Sequence, residues 1–299
     1  MSWIGDSADR QLQKGHPACA GCGMILGVRH ILEEAGDDSV LVIPACCASV
    51  IQGVYPYTAF DVPVINTAFA AGPSTASGVQ MAVERQDEDT NVIVLAGDGG
   101  TSDIGLASLS GVLERGHDIL YILYDNEAYS NTGFQKSGRT PPGARTTTTP
   151  TGRIGRQKDI AEIVADHDPA YMATASPAFL QDLRRKTTRG LETTGTSFLH
   201  LQTPCPPGWR MDAGESIDVA KAAVASGLWV LYEREQGGEY QINQPSKAAF
   251  RNPDPIDDYL EPQGRFDTAK DADIEALREQ AEQNIEHFSA YLEQEVATQ

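Results

Sequence analysis

The stretch Val92–Asn131, VIVLAGDGGTSDIGLASLSGVLERGHDILYILYDNEAYSN, decides how the rest of the chain is read. It opens with a β-branched, apolar run that breaks at Gly97-Asp98-Gly99-Gly100. Ile104, Leu106, Leu109 and Leu113 then recur at helical spacing, and Gly116 stands where a C-cap is wanted. A second apolar run ends at Asp125-Asn126. This is a strand–turn–helix–strand unit, and it brings a carboxylate and a carboxamide to the C-terminal edges of two neighbouring strands. Open α/β sheets bind their ligands along that edge. Gly97, Gly99 and Gly100 let backbone N–H groups approach a diphosphate, while Asp98, Asn126 and the Ala128 carbonyl supply hard oxygens for a bridging Mg²⁺. A Gly-Asp-Gly alone would mark only a turn. The strand before it and the Asp-Asn strand end after it make it a metal–diphosphate site.

Upstream, residues 1–15 read as a loose arm. HPACAGCG then leads into a helix carrying Ile25, Val28, Ile31 and Leu32, with Gly36 as its cap. Val40–Ile43 is a short buried strand that delivers Cys46 and Cys47 to its C-terminal end. Residues 53–70 read as irregular and 72–85 as a helix of small residues. Downstream, 129–156 lacks periodicity and is rich in Gly, Thr and Pro, the signature of a functional or disordered loop. Helices are expected at 159–166 and 177–192, and a strand at Ser197–Leu201. Cys205 lies just past that strand. The polar segment 236–264 reads as an arm on a neighbouring chain. Ile274, Leu277, Ala281, Ile285, Phe288 and Leu292 make a stripe on a C-terminal helix, packed on its own domain or on a partner. The expected fold class is therefore α/β, a mostly parallel sheet with helices on both faces. The expected division is a cofactor domain over 1–235 and a C-terminal extension over 236–299.

At a formal charge of −19 in 299 residues, the chain is no nucleic-acid binder, which would present a basic face. The charge fits either a salt-rich cytosol or an ordinary acidic surface that meets a basic partner. No apolar run is long enough to span a membrane and the N-terminus has no signal-peptide core, so the expected location is cytoplasmic. Five cysteines in such a chain do not make a disulfide framework. Cys19, Cys22, one of Cys46 or Cys47, and Cys205 form a set of four thiolates, which suits a 4Fe–4S cluster or a structural Zn²⁺ equally well. The six histidines show no ligand spacing, and His200 inside an apolar strand reads as a core residue. There is no G-x-S-x-G elbow, no Walker lysine loop and no complete G-x-G-x-x-G.

Taken together, HPACAGCG, the VIQGVYPYTAF that follows Cys47 closely, GDGGTSDIG, ERGHDILYILYDNEAYSNTGFQKSG, TTTTPTG, TPCPPGW and DDYLEPQGRF run in order along nearly the whole chain. In these the sequence resembles the β subunit of pyruvate:ferredoxin oxidoreductase and its 2-oxoacid relatives, which use thiamine diphosphate. The resemblance implies a thiamine diphosphate-binding fold with Asp98, Asn126 and the Ala128 carbonyl on Mg²⁺. It places Asn131 beside the thiazolium and the bound substrate. It assigns Cys19, Cys22 and Cys205 to a 4Fe–4S cluster. Val50-Ile51 and Tyr55-Pro56-Tyr57 fall in the family register when counted from Cys47, making Cys47 the fourth ligand and Cys46 the spare. Ser49 stands where many relatives carry an acid, and is expected in the aminopyrimidine pocket. The resemblance further implies oxidative decarboxylation of a 2-oxoacid, with coenzyme A taking the acyl group and ferredoxin the electrons. The glutamate that activates the pyrimidine lies on a separate α subunit, so this chain alone should be inactive. Ferredoxin-like and γ subunits belong to the same expectation. The alternatives are a branched-chain 2-oxoacid or oxalate as substrate, a non-redox thiamine decarboxylase or synthase subunit with zinc on the cysteines, and a scaffold subunit without activity.

Overall fold

In the computed structural model, which describes residues 11–297 and side chains up to 292, six strands run parallel. They are β1 (Ser39–Pro44), β2 (Val64–Thr67), β3 (Asn91–Gly97), β4 (Ile119–Asp125), β5 (Tyr171–Ala175) and β6 (Thr196–Gln202). Two further strands, β7 (Tyr232–Glu235) and β8 (Gln241–Ile242), extend one edge antiparallel. The sheet order is β2-β1-β3-β4-β6-β5-β7-β8. The chain leaves β1 for β2 on one side and returns to β3 on the other, so a crevice opens at the C-terminal ends of β1 and β3. In doubly wound sheets ligands sit at such a reversal.

Side-chain alternation builds two cores, one on each face of the sheet. Ile93 and Leu95 of β3, with Leu120, Ile122 and Tyr124 of β4, face α1 (Gly23–Ala35) and α6 (Leu180–Glu192). Val92, Val94 and Ala96, with Ile119, Tyr121 and Leu123, face α3 (Gly72–Gln86) and α4 (Leu106–Arg115). All seven residues of β4 are buried, which is why its sequence reads as one continuous apolar run rather than an alternating one. Each buried Leu or Ile in such a layer contributes about 1.5–3 kcal/mol. Gly116 caps α4 with a φ of 62°, a left-handed conformation that costs glycine nothing.

Several sequence expectations need amendment. Of the apolar stripe after the glycine turn, Ile104 is 54% exposed, because the chain makes a π-type turn over Gly99–Asp103 before α4 begins. That extra turn rotates Ile104 off the buried face. Within 53–70, β2 is a regular edge strand; the helix expected at 159–166 is α5 (Ile160–Ala165), while β5, β7 and a helix α8 (Ser216–Ala225) were not expected. Residues 1–10 of the expected arm lie outside the described residues. Leu12, however, is buried and bridges Phe60. The 129–156 segment is folded through side-chain bonds to backbone: Arg153 Nη1 donates to the Gly138 carbonyl and Thr147 Oγ1 to that of Gly133.

The polar 236–264 region is not irregular throughout, and part of it packs on its own chain. It contains β8, α9 (Gln244–Arg251) and α10 (Asp257–Leu260), and Ile256, Tyr259 and Leu260 enter a third core with Trp209, Trp229 and Leu231. The sheet therefore runs on past residue 235. The last helix, α11 (Asp271–Ala297), buries Leu277, Ala281 and Phe288 of its stripe on its own chain. Among the described residues no helix is long and apolar enough to cross a membrane.

Candidate cofactor and cluster site

Asp98 leaves the end of β3 only 1% exposed. The turn that follows demands glycine: a Cβ on Gly99 would come within 2.2 Å of the Tyr129 ring, and one on Gly105 within 2.0 Å of the Gly100 carbonyl. Tyr129 is itself held by its hydroxyl, which donates to Asp103 at 2.8 Å.

Asp125 closes β4, with Arg139 Nε donating to its Oδ2 at 2.7 Å and His200 Nε2 at 2.8 Å. Burial works against this carboxylate, but the Arg139 guanidinium and the His200 ring outweigh it and hold its pKa down at about 2. Because Asp125 is a charged acceptor, His200 carries its proton on Nε2, and burial keeps the ring neutral. His200 is the core residue its strand position implied, now with a definite task. It pins Asp125 so that the next residues turn sharply.

In that turn Glu127 adopts a φ of 63°, unfavourable for a residue with a Cβ. Four contacts hold it there. The Glu127 N–H donates to Asp125 Oδ1 at 3.0 Å, and Thr140 Oγ1 donates to the Glu127 carbonyl at 2.6 Å. The Glu127 carboxylate pairs with Arg265 at 2.6 Å, and the Trp209 indole N–H donates to the Asn126 carbonyl at 2.8 Å.

The turn aims the amide end of Asn126 at three oxygens: Ala128 O and Ser130 Oγ at 2.8 Å each, and Asp98 Oδ1 at 3.3 Å. With its nitrogen turned inward, the two amide hydrogens of Asn126 serve Ala128 O and Ser130 Oγ, with Asp98 Oδ1 as a more distant acceptor. With its oxygen turned inward, Asn126 accepts from the Ser130 hydroxyl at 2.8 Å and its oxygen faces those of Asp98 and Ala128, an arrangement that a cation stabilises. Among the described residues, Asp98 Oδ2 is buried without a hydrogen-bond partner. Burial, and after it the charge on Asp125, push the Asp98 carboxyl well above its usual range, a penalty that a bound divalent ion reverses. Few protein oxygens plus room for diphosphate and water suit Mg²⁺.

A cavity of about 140 Å³ opens over this cradle, walled by Gly97, Asp98, Gly99, Gly100, Asn126 and Ala128 among others. A second, of about 330 Å³, is lined by Cys19, Cys22, Cys47 and Cys205. The two share Cys47, Asn126, Ser130 and Asn131 as common wall. Cys46 faces only the first, and Ser49 lines neither. The Ser49 hydroxyl donates to the Cys46 carbonyl at 2.7 Å and accepts from the Cys46 N–H at 3.1 Å, capping α2 (Cys47–Gln52). Burial pushes the Cys47 thiol up to about 12 and the Cys205 thiol up to about 11, with the neighbouring cysteines adding to both. Thiols so placed ionise only when a cationic centre receives them. Among the described residues no three His, Cys, Asp or Glu side chains converge closely enough to hold a single ion. Four thiols around one cavity are the donor set that a thiolate-bound metal centre would use.

Sequence reasoning did not single out Arg139, Ser130, Trp209 or Arg265. Trp209 was visible in TPCPPGW and Arg265 in DDYLEPQGRF, but neither carries local chemistry that announces a distant partner.

The turn after β3 and the end of β4 lie within a thiamine diphosphate-binding domain. The family described as thiamine pyrophosphate enzyme, C-terminal TPP-binding domain, matches residues 45–201. The chain is 44% identical over 275 residues to the ketoisovalerate oxidoreductase subunit VorB of Pyrococcus furiosus, covering 88% of each protein. It is 43% identical over 261 residues to the pyruvate synthase subunit PorB of Methanothermobacter thermautotrophicus, covering 85% of this chain and 89% of that one. With the PorB of Methanosarcina barkeri the identity is 38% over 93% of this chain and 96% of the relative. A solved 2-oxoglutarate:ferredoxin oxidoreductase from Magnetococcus marinus shares the fold, with a TM-score of 0.58 and 21% identity over 71% of this chain and 79% of that one. The protein belongs to the family of 2-oxoacid:ferredoxin oxidoreductase β subunits.

Proposed function

We propose that this subunit carries thiamine diphosphate, Mg²⁺ and one 4Fe–4S cluster, and that its holoenzyme oxidises pyruvate and coenzyme A to acetyl-CoA and CO₂ while reducing ferredoxin. The observation that carries the reading is the shared wall. Three convergent oxygens and four cysteines open onto adjoining cavities with Cys47, Asn126, Ser130 and Asn131 between them. Asp98, Asn126 and the Ala128 carbonyl would hold the metal, and Cys19, Cys22, Cys47 and Cys205 the cluster. Bound there, the thiazolium supplies an electron sink for decarboxylation and the cluster a one-electron relay. Asn131 borders both cavities, as a residue beside the reacting carbons should.

The pyrimidine side is less complete. Ser49 is occupied as a cap, and the activating glutamate is assigned to an α subunit. Val54, Tyr55 and Tyr57, which follow the Cys47 helix, are more than four-fifths exposed, an apolar patch of the kind a partner subunit covers. Ferredoxin-like and γ subunits complete the proposed assembly. The relatives named for ketoisovalerate and for pyruvate stand at nearly equal identity, so a branched-chain 2-oxoacid is the second reading. The test is to purify the native complex anaerobically and assay dye reduction with a panel of 2-oxoacids and coenzyme A. Asp98→Ala should abolish turnover with every substrate. Unchanged turnover, or zinc in place of reducible iron, refutes the assignment.

A further inference from the structure

We propose that Trp209 is a positioning residue that holds the metal turn and the cluster arm at a fixed separation. The inference rests on the Mg²⁺ and cluster sites proposed above and assigns a task to a residue outside both. Trp209 ends α7 (Pro206–Trp209), the short turn that begins immediately after Cys205. Its own backbone N–H donates to the Cys205 carbonyl at 2.7 Å. Its side chain is 1% exposed and reaches the other way, where the indole N–H donates to the Asn126 carbonyl at 2.8 Å. One residue thus bonds the backbone of a proposed cluster ligand at one end and that of a proposed metal ligand at the other.

The ring cannot swing. The Arg265 guanidinium lies over it at 3.9 Å from the ring centre, and Tyr259 meets its edge at 6.2 Å between centroids. Arg265 is fixed in turn by the Glu127 carboxylate at 2.6 Å and by the Tyr259 hydroxyl at 2.9 Å. The C-terminal segment therefore clamps the strut from outside both cavities. Behind the strut, the side chain of Gly208 could not grow: a Cβ there would lie 2.9 Å from Phe134 and 3.2 Å from Cys205 Sγ. Electron transfer between two bound centres depends on a constant separation, and catalytic constellations hold their geometry only when the supporting shell is locked.

The test uses the reconstituted complex. Trp209→Phe keeps a ring for Arg265 to cover and removes the N–H together with the pyrrole part of the indole. Losing one neutral hydrogen bond of ordinary net strength should weaken Mg²⁺ binding, measured calorimetrically with thiamine diphosphate present, by about three- to tenfold. With Mn²⁺ in place of Mg²⁺, the dipolar splitting between the ion and the reduced cluster, read by EPR, should broaden from a single separation to a spread. Should the phenylalanine core prove too loose to fold, benzothienylalanine at position 209 replaces the N–H by sulfur at constant shape. A residue that merely fills space would lower the urea midpoint and leave both the Mg²⁺ affinity and the dipolar splitting unchanged, and that result overturns the proposal. Asn126→Ala is the control for the underlying reading. If it too leaves Mg²⁺ affinity unchanged, the metal assignment fails and not the strut. If no reducible iron is found, the cluster assignment fails while the Mg²⁺ measurement still decides the role of Trp209.

Discussion

Replacing Arg265 with methionine should expose how far the C-terminal segment supports the site. Arg265 is 2% exposed and neutralises Glu127, itself only 7% exposed. It also covers Trp209 and donates to Tyr259 and Gln263. Breaking a buried ion pair from one side leaves an uncompensated charge and costs about 3–5 kcal/mol. The lost cation–ring contact adds about 1–2 kcal/mol in a desolvated setting, partly recovered by a methionine sulfur on the same ring at about 0.3–1.5 kcal/mol. A loss of about 4 kcal/mol would be a large share of the 5–15 kcal/mol typical of a folded domain. The assay is urea unfolding of the subunit followed by tryptophan fluorescence, in a double-mutant cycle with Glu127→Gln. Removing the carboxylate as well as the guanidinium should restore about 2 kcal/mol, since neither charge is then stranded. Arg265→Lys, which keeps the charge but loses the planar stack, should fall between wild type and Arg265→Met. A loss below about 1 kcal/mol, or two single effects that add within about 0.5 kcal/mol, would refute the reasoning.

Two further outcomes are expected. Cys47→Ser should lower bound iron and abolish the reduced-cluster EPR signal, whereas Cys46→Ser, facing the other cavity, should retain both; the reverse pattern would exchange their roles. Lys186 is fully buried, and burial brings its pKa down to about 8 despite Asp182 at 2.6 Å, against an ordinary lysine value of 10.5. Below pH 8 both folded and unfolded chains hold that proton. Between pH 8 and 10.5 only the unfolded chain does, so this group should raise stability with pH across that window by up to about 3 kcal/mol. Subtracting the profile of Lys186→Met isolates the slope, and a flat difference would count against it.

Much of the site was legible because its chemistry is local to strand ends. Gly97-Asp98-Gly99-Gly100 and Asp125-Asn126 announce themselves, since an apolar run that stops at a polar pair can only be a strand emerging at the ligand edge. The cysteines were legible as a set, and the choice of Cys47 over Cys46 came from the family resemblance. The structure places Cys47 on the thiol-lined cavity and Cys46 off it. Ser49 shows the limit. Its hydroxyl turns back onto the Cys46 backbone at the start of α2, a contact that register alone does not disclose. Ile104 shows another. Helical periodicity assumes an unbroken helix, and a π-type turn before α4 shifts the phase.

By itself, then, the sequence determined the class of fold and the family, because each depends on residues close in the chain or on an ordered series of motifs, and it named the donors proposed above for metal and cluster. Only the tertiary structure decided what holds those donors in place. Arg139 and His200 on Asp125, Trp209 on Asn126 and Arg265 on Glu127 join segments up to 138 residues apart, from Glu127 to Arg265. No local propensity encodes such pairs. They exist because a tight, buried turn with a left-handed Glu127 leaves polar groups that must be satisfied, and the folded chain brings the partners that satisfy them.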